Sequence, residues 1–96
     1  MNLRGYAEGK PCMIRLPGFC THDPDTTVLA HERQAGITGG SQKAPDLLGA
    51  WGCHICHGIV DGKIKTDLDR DFVRVCFLEA VIRTQYQLIR EGLVKW

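Results

Sequence analysis

The chain has 96 residues, 44% of them hydrophobic and 24% charged, with a formal net charge of +1 at neutral pH. This length suits one small domain with a modest core, and the mix excludes a disordered, fibrous or membrane-spanning chain. A balance so near neutrality supplies no general field for polyanions, so any nucleic-acid contact has to rest on a local basic patch.

The first ten residues carry Arg4, Glu8, Lys10 and two glycines rather than the unbroken apolar run of a secretory signal, which predicts a cytoplasmic protein. In that reducing compartment the five cysteines read as metal ligands or buried thiols, and an odd number also resists full disulfide pairing. Residues 1–27 hold three of the four prolines and the first two cysteines, a composition of turns and short strands. Cys12 to Leu16 fits one such strand, and the Pro17-Gly18 turn would bring Cys12 and Cys20 together. Thr26 to His31 begins with β-branched residues and predicts a second short strand, with His31 at its end. Residues 36–45 read as a loop, Pro45 to Leu48 opens another short element, and a helix is predicted from about Cys56 through Asp61, with Gly62 placed to end it.

From Thr66 the pattern becomes helical, with Thr66 and Asp69 as a capping pair and a helix over 66–93. Leu68, Phe72, Val75, Ile82, Tyr86, Ile89 and Leu93 form its main stripe, interrupted by Glu79. Val73, Phe77, Val81 and Leu88 mark a second apolar flank. A helix with two such flanks packs on more than one surface, and the second is a candidate contact for another subunit in a homo-oligomer.

Cys53-His54-Ile55-Cys56-His57 is the densest set of metal ligands in the chain. Tetrahedral zinc sites take four thiolates as two pairs, each held in a tight turn. Cys53 and Cys56 supply one pair, and Cys12 and Cys20 are the best candidates for the other, because Cys76 lies mid-helix beside the apolar stripe and reads as a small hydrophobe. Two alternatives stand beside this reading: Cys12 and Cys20 as unrelated buried thiols, and Cys-x-x-Cys-His as a c-type haem attachment site with Met13 or Met1 as distal ligand. The haem reading requires export, for which the sequence has no signal. His57 and Asp61, four residues apart, would share a helical face and could hold a divalent ion such as Mg2+, or be an exposed histidine and a turn-forming aspartate.

The order Leu29-Ala30-His31, Asp46-Leu47-Leu48, then Cys53-x-x-Cys56-His57 with Asp61 resembles the HNH, or ββα-metal, nucleases over about residues 12–62. The whole chain looks similar to the small phage and prophage nuclease family that includes YbcO. The resemblance implies an α+β fold in a single HNH-like domain, 1–96, with a zinc-braced ββα-metal core at 12–62 and a C-terminal packing helix. It implies His31 as general base, Asp46 in the place of the loop-steadying Asn or Asp, His57 and Asp61 as ligands of a catalytic divalent ion, and a structural Zn2+ on Cys12, Cys20, Cys53 and Cys56. Ala30 stands where many of these nucleases have a further metal ligand.

Hydrolysis of a phosphodiester needs a base for the attacking water and positive charge at the phosphorus and the leaving oxygen. An imidazole with a reference pKa of about 6.5 suits the first task, and Asp46 could fix its tautomer. Arg15, Arg33, Lys43, Lys63 and Lys65 flank the motif and are candidate contacts to DNA phosphates. Arg70, Arg74, Arg83 and Arg90 on the last helix, and His22 and His54, carry no assigned role. The function this implies is a metal-dependent DNA endonuclease of phage or prophage origin. Its rival is a zinc-braced nucleic-acid or protein-binding module without turnover.

Overall fold

Two short strands and a helix that follows them directly form the centre of the molecule, which we describe from a computed structural model covering residues 2–32 and 44–95. Strand β1 (Val28–His31) runs antiparallel to β2 (Gly49–Gly52), with Leu29 opposite Trp51 and His31 opposite Gly49. Before them lies helix α1 (Leu3–Tyr6), capped by the Asn2 side chain, which accepts from the Gly5 N–H. 3-10 turns at Pro24–Thr26 and Asp46–Leu48 lead into the two strands. Helix α2 (His54–Val60) follows β2 and α3 (Arg70–Arg90) closes the chain. No helix among the described residues is long and apolar enough to cross a membrane.

Every residue of β2 is buried, because α3 lies across it. A two-stranded sheet leaves two edges open, and unpaired backbone groups there would be costly inside a core. At Trp51 the open edge is closed by other parts of the chain: its N–H donates to Thr84 Oγ1 of α3 at 3.1 Å, and its carbonyl accepts from Met13 N–H at 2.7 Å. Trp51, Phe77, Ile14, Leu16, Ile59 and Val73 fill the space around this junction.

Several sequence expectations are corrected in detail. Cys12 to Leu16 does not form a regular strand: Met13 makes one strand-like bond to Trp51, and the chain then bends through Arg15, whose φ of 54° breaks any extended run. Pro17-Gly18 does turn the chain, with Gly18 at φ 79° and Phe19 N–H donating to Leu16 O, the pattern of a type II turn. Helix α2 starts earlier than the sequence suggests, at His54, because Cys53 is its N-cap. It ends at the expected place: Gly62 at φ 79° allows Gly62 N–H to reach Ile59 O and Lys63 N–H to reach Gly58 O, a Schellman motif.

The last helix is shorter than 66–93. Asp69, not Thr66, caps it by accepting from Asp71 and Phe72 N–H, and it ends at Arg90. The two stripes also exchange roles. Val73, Phe77, Ala80, Val81, Thr84 and Leu88 face the core, whereas Phe72, Val75, Ile82 and Tyr86 of the expected main stripe are exposed. The small residues Ala80 and Thr84 let the helix backbone approach β2, and a stripe of larger side chains would hold it away. The loop read at 36–45 falls mostly on residues outside those described.

Candidate metal centre and its histidine–carboxylate pairs

Cys12, Cys20, Cys53 and Cys56 meet in one cluster, their sulfur atoms all within 4.8 Å of one another and Cys53 Sγ 4.0 Å from Cys20 Sγ. Four sulfurs tetrahedrally placed at about 2.3 Å from a zinc ion would stand roughly 3.8 Å apart, so the quartet could hold such a metal ion with little movement. All five cysteines are free thiols, and Cys76 lies outside the cluster. Cys53 and Cys56 are fully buried against Cys12 and Cys20, which leaves no room for a porphyrin to bond them and removes the haem reading.

The backbone around each sulfur is arranged to support negative charge. Cys12 receives backbone hydrogen bonds from Arg15 and Cys53, Cys20 from His22, Cys53 from Thr21 and Cys56, and Cys56 from Leu16. Arg15 and His22 are the only non-glycine residues with positive φ among the described residues. The left-handed conformation, disfavoured for L-residues, therefore sits where it turns an N–H onto a sulfur. Within the quartet the protons are held unequally. The hydrogen bond from Cys56 draws the Cys12 thiol down to about 4 against desolvation, and the same bond, with burial, pushes Cys56 up. Burial first, then the contact with Cys12, raises Cys20 to about 11, while at Cys53 burial is outweighed by hydrogen bonds from Thr21 and Cys56 and the thiol is lowered. Such a mixed set of thiol and thiolate is what a divalent cation would complete by displacing the remaining protons.

Cys53 links this centre to α2. Its sulfur accepts from Cys56 N–H at 3.5 Å and so caps the helix that carries His57. His57 Nε2 lies 3.1 Å from Asp61 Oδ2, one helical turn on, with the carboxylate largely buried. The last carbonyls of α2 are held by Arg70, which donates to Ile59 O at 2.8 Å and Val60 O at 3.1 Å.

A second imidazole–carboxylate contact lies at the end of β1. His31 Nε2 is 2.7 Å from Asp46 Oδ1, and Arg4 Nε reaches the same oxygen at 3.2 Å. The hydrogen bond with His31, then Arg4, holds the Asp46 carboxyl below its usual range. The next residue, Glu32, is buried and takes a two-pronged contact from Arg74 at 2.6 and 2.8 Å, which fixes the strand end against α3. Gln85 of the same helix donates to Leu47 O beside Asp46.

The structure thus brings together the four cysteines, His31 with Asp46, and His57 with Asp61. Among the basic candidates, Arg15 is exposed but folds back onto Cys12 O and Met13 Sδ, and Lys63 and Lys65 are exposed beyond α2. Arg33 and Lys43 lie outside the described residues. Sequence reasoning missed Arg4, which is 42 positions from Asp46 and carries no motif. It also left Arg70, Arg74 and Arg83 unassigned, whereas each bridges α3 to another segment, Arg83 through Met13 O at 2.9 Å.

These features define a small α+β protein built around a cysteine quartet able to hold a metal ion, with two histidine–carboxylate pairs on the adjoining strand end and helix. The family described as "Putative nuclease YbcO" matches residues 1–93. Two relatives, "Putative nuclease YbcO" of Escherichia coli (strain K12) and "Putative nuclease ybcO" of Enterobacteria phage 82, are each 38% identical over 94 residues, covering 98% of this chain and 97% of their own. A solved structure described as "Structure of a putative bacteriophage protein from Escherichia coli str. K-12 substr. MG1655" superposes with a TM-score of 0.80 at 34% identity, over 95% of this chain and all of that one. The chain belongs to the YbcO family.

Proposed function

We propose that this chain is a metal-dependent DNA endonuclease of the HNH, or ββα-metal, type, working in the cytoplasm in a phage or prophage setting. The observation that carries the reading is the 2.7 Å contact of His31 Nε2 with Asp46, placed at the end of the first strand of a strand–strand–helix unit whose helix bears a second histidine. The names of the relatives, one of them from a phage, point the same way.

An ionised Asp46 accepts the Nε2–H of His31, which leaves the Nδ1 lone pair to take a proton from the attacking water. Asp46 then stabilises the imidazolium that forms. Arg4 offsets the carboxylate charge, so that Asp46 in this position does not repel the phosphate as a bare aspartate would. His57 and Asp61 would hold a divalent ion such as Mg2+, which supplies positive charge to the phosphorane and the leaving oxygen. Zn2+ held by Cys12, Cys20, Cys53 and Cys56 braces the fold and takes no part in the reaction. Arg15, Lys63 and Lys65, with Arg33 and Lys43, would contact the DNA backbone.

One observation favours a second reading, a zinc-braced nucleic-acid-binding or protein-binding module without turnover: the Ala30 side chain is buried in the core, so the position before His31 offers no ligand to a catalytic ion. Incubating purified protein with supercoiled plasmid and Mg2+ or Mn2+ separates the two. The nuclease reading expects cleavage that EDTA abolishes and that His31→Ala lowers about 100-fold or more. Equal nicking by both preparations would remove the role of His31. Absence of cleavage on supercoiled, single-stranded and branched DNA alike would leave the binding module.

A further inference from the structure

Helix α3 has a second apolar face opposite the one that packs on β2. Phe72, Val75, Glu79, Ile82, Tyr86 and Ile89 follow one another in alternating steps of three and four, the spacing of a coiled-coil seam. Phe72, Val75, Ile82 and Tyr86 are 43–67% exposed, and Leu78 beside them is 38% exposed. Taking full side-chain areas of roughly 150–250 Å2, these five leave on the order of 400–500 Å2 of apolar surface in one strip. A monomer rarely leaves so much bare, and with its polar rim the strip approaches the roughly 800 Å2 per partner of a stable dimer.

We propose that this chain forms a two-fold dimer in which α3 pairs antiparallel with α3 of a second copy, centred between Glu79 and Ile82. The charges choose both the occupant and the direction. Parallel pairing would stack Glu79 on Glu79 of the second copy inside the seam, two like charges face to face. Antiparallel pairing puts Glu79 against Ile82 of the second copy, next to that copy's Arg83. The same register brings Asp71 opposite Arg90 of the second copy, and Asp67 opposite its Lys95, at both ends of the seam. The helix is acidic at its start and basic at its end, so a reversed copy of itself is its natural complement, in side-chain charge and in helix dipole. This surface is independent of the proposed nuclease chemistry, and its test reads mass rather than cleavage.

Sedimentation equilibrium of the full chain with zinc bound should give twice the chain mass at tens of micromolar. Ile82→Glu places a charge at the seam without touching the buried face, and should yield a monomer with unchanged helical circular dichroism and zinc content. Asp71→Arg and Arg90→Asp alone should each weaken the dimer about 10-fold, whereas an equimolar mixture should recover wild-type affinity within about 2-fold, because every end contact again joins opposite charges. A wild-type chain monomeric at about 100 µM, or a dimer unaffected by Ile82→Glu, overturns the proposal. So does a mixture that fails to recover, since the helices would then not be antiparallel in this register. A strip covered only when DNA is added would assign it to nucleic acid instead.

Discussion

Thr84→Val tests whether the edge of β2 depends on a side chain of α3. Threonine and valine have nearly the same shape, so the substitution keeps the buried packing and removes only Oγ1, which accepts from Trp51 N–H at 3.1 Å. Thr84 and Trp51 are both fully buried and no water can reach the freed N–H, so the penalty is that of an unsatisfied buried donor, about 1–3 kcal/mol. Burying a methyl in place of a hydroxyl returns part of this, on the order of 0.5–1 kcal/mol, leaving a net loss of about 1–2 kcal/mol. For a chain of this size that corresponds to a fall of roughly 5–10 °C in Tm. Thermal unfolding of the zinc-loaded protein gives the magnitude, and amide exchange at Trp51 gives the location, with protection there falling about 10-fold or more. A valine variant as stable as wild type, with the Trp51 amide still protected, would show that the helix does not close the sheet edge by this bond.

Glu91 gathers hydrogen bonds from Lys10, Tyr6 and Gln87, which hold its carboxyl at about 2. Its folded value lies below the ordinary 4.5, so this clamp between α1 and the end of α3 contributes above about pH 4.5 and is lost as pH falls toward 2. The stability difference between wild type and Glu91→Gln in urea should be present at pH 7 and vanish by about pH 2. Arg74→Met withdraws both donors from the buried Glu32 and should cost about 2 kcal/mol, less than a fully buried pair because Arg74 is half open to solvent. It should also lower any His31-dependent cleavage, whereas a variant of wild-type stability would refute the anchoring of the strand end. Cys53→Ala removes a ligand and the cap of α2 together and should abolish zinc retention with loss of soluble folded protein, while Cys76→Ser should keep its zinc in full.

What could be read from the residues was whatever depended on short-range spacing. Cys53-x-x-Cys56 and the Pro17-Gly18 turn were enough to name the quartet, and the start of α2 was missed by two residues because a cysteine is not an ordinary cap. The Cys12 to Leu16 segment misled for a related reason: its β-prone residues follow the demands of the sulfurs, which bend the chain at Arg15. On α3 both flanks are apolar, and periodicity does not say which meets the core. The decision rests on the fit of Ala80 and Thr84 to β2, a property of two surfaces rather than of one sequence. Arg4 and Asp46 meet only through the fold, so the guanidinium beside the His31 pair had no local signal.

The account depends most on the four sulfurs binding one ion between the loop of Cys12 and Cys20 and the start of α2. X-ray absorption at the zinc edge, on protein with its metal content measured, tests this directly. The expected result is one zinc per chain with four sulfur neighbours at about 2.3 Å. Nitrogen or oxygen in the first shell, or well under one zinc per chain, would contradict it.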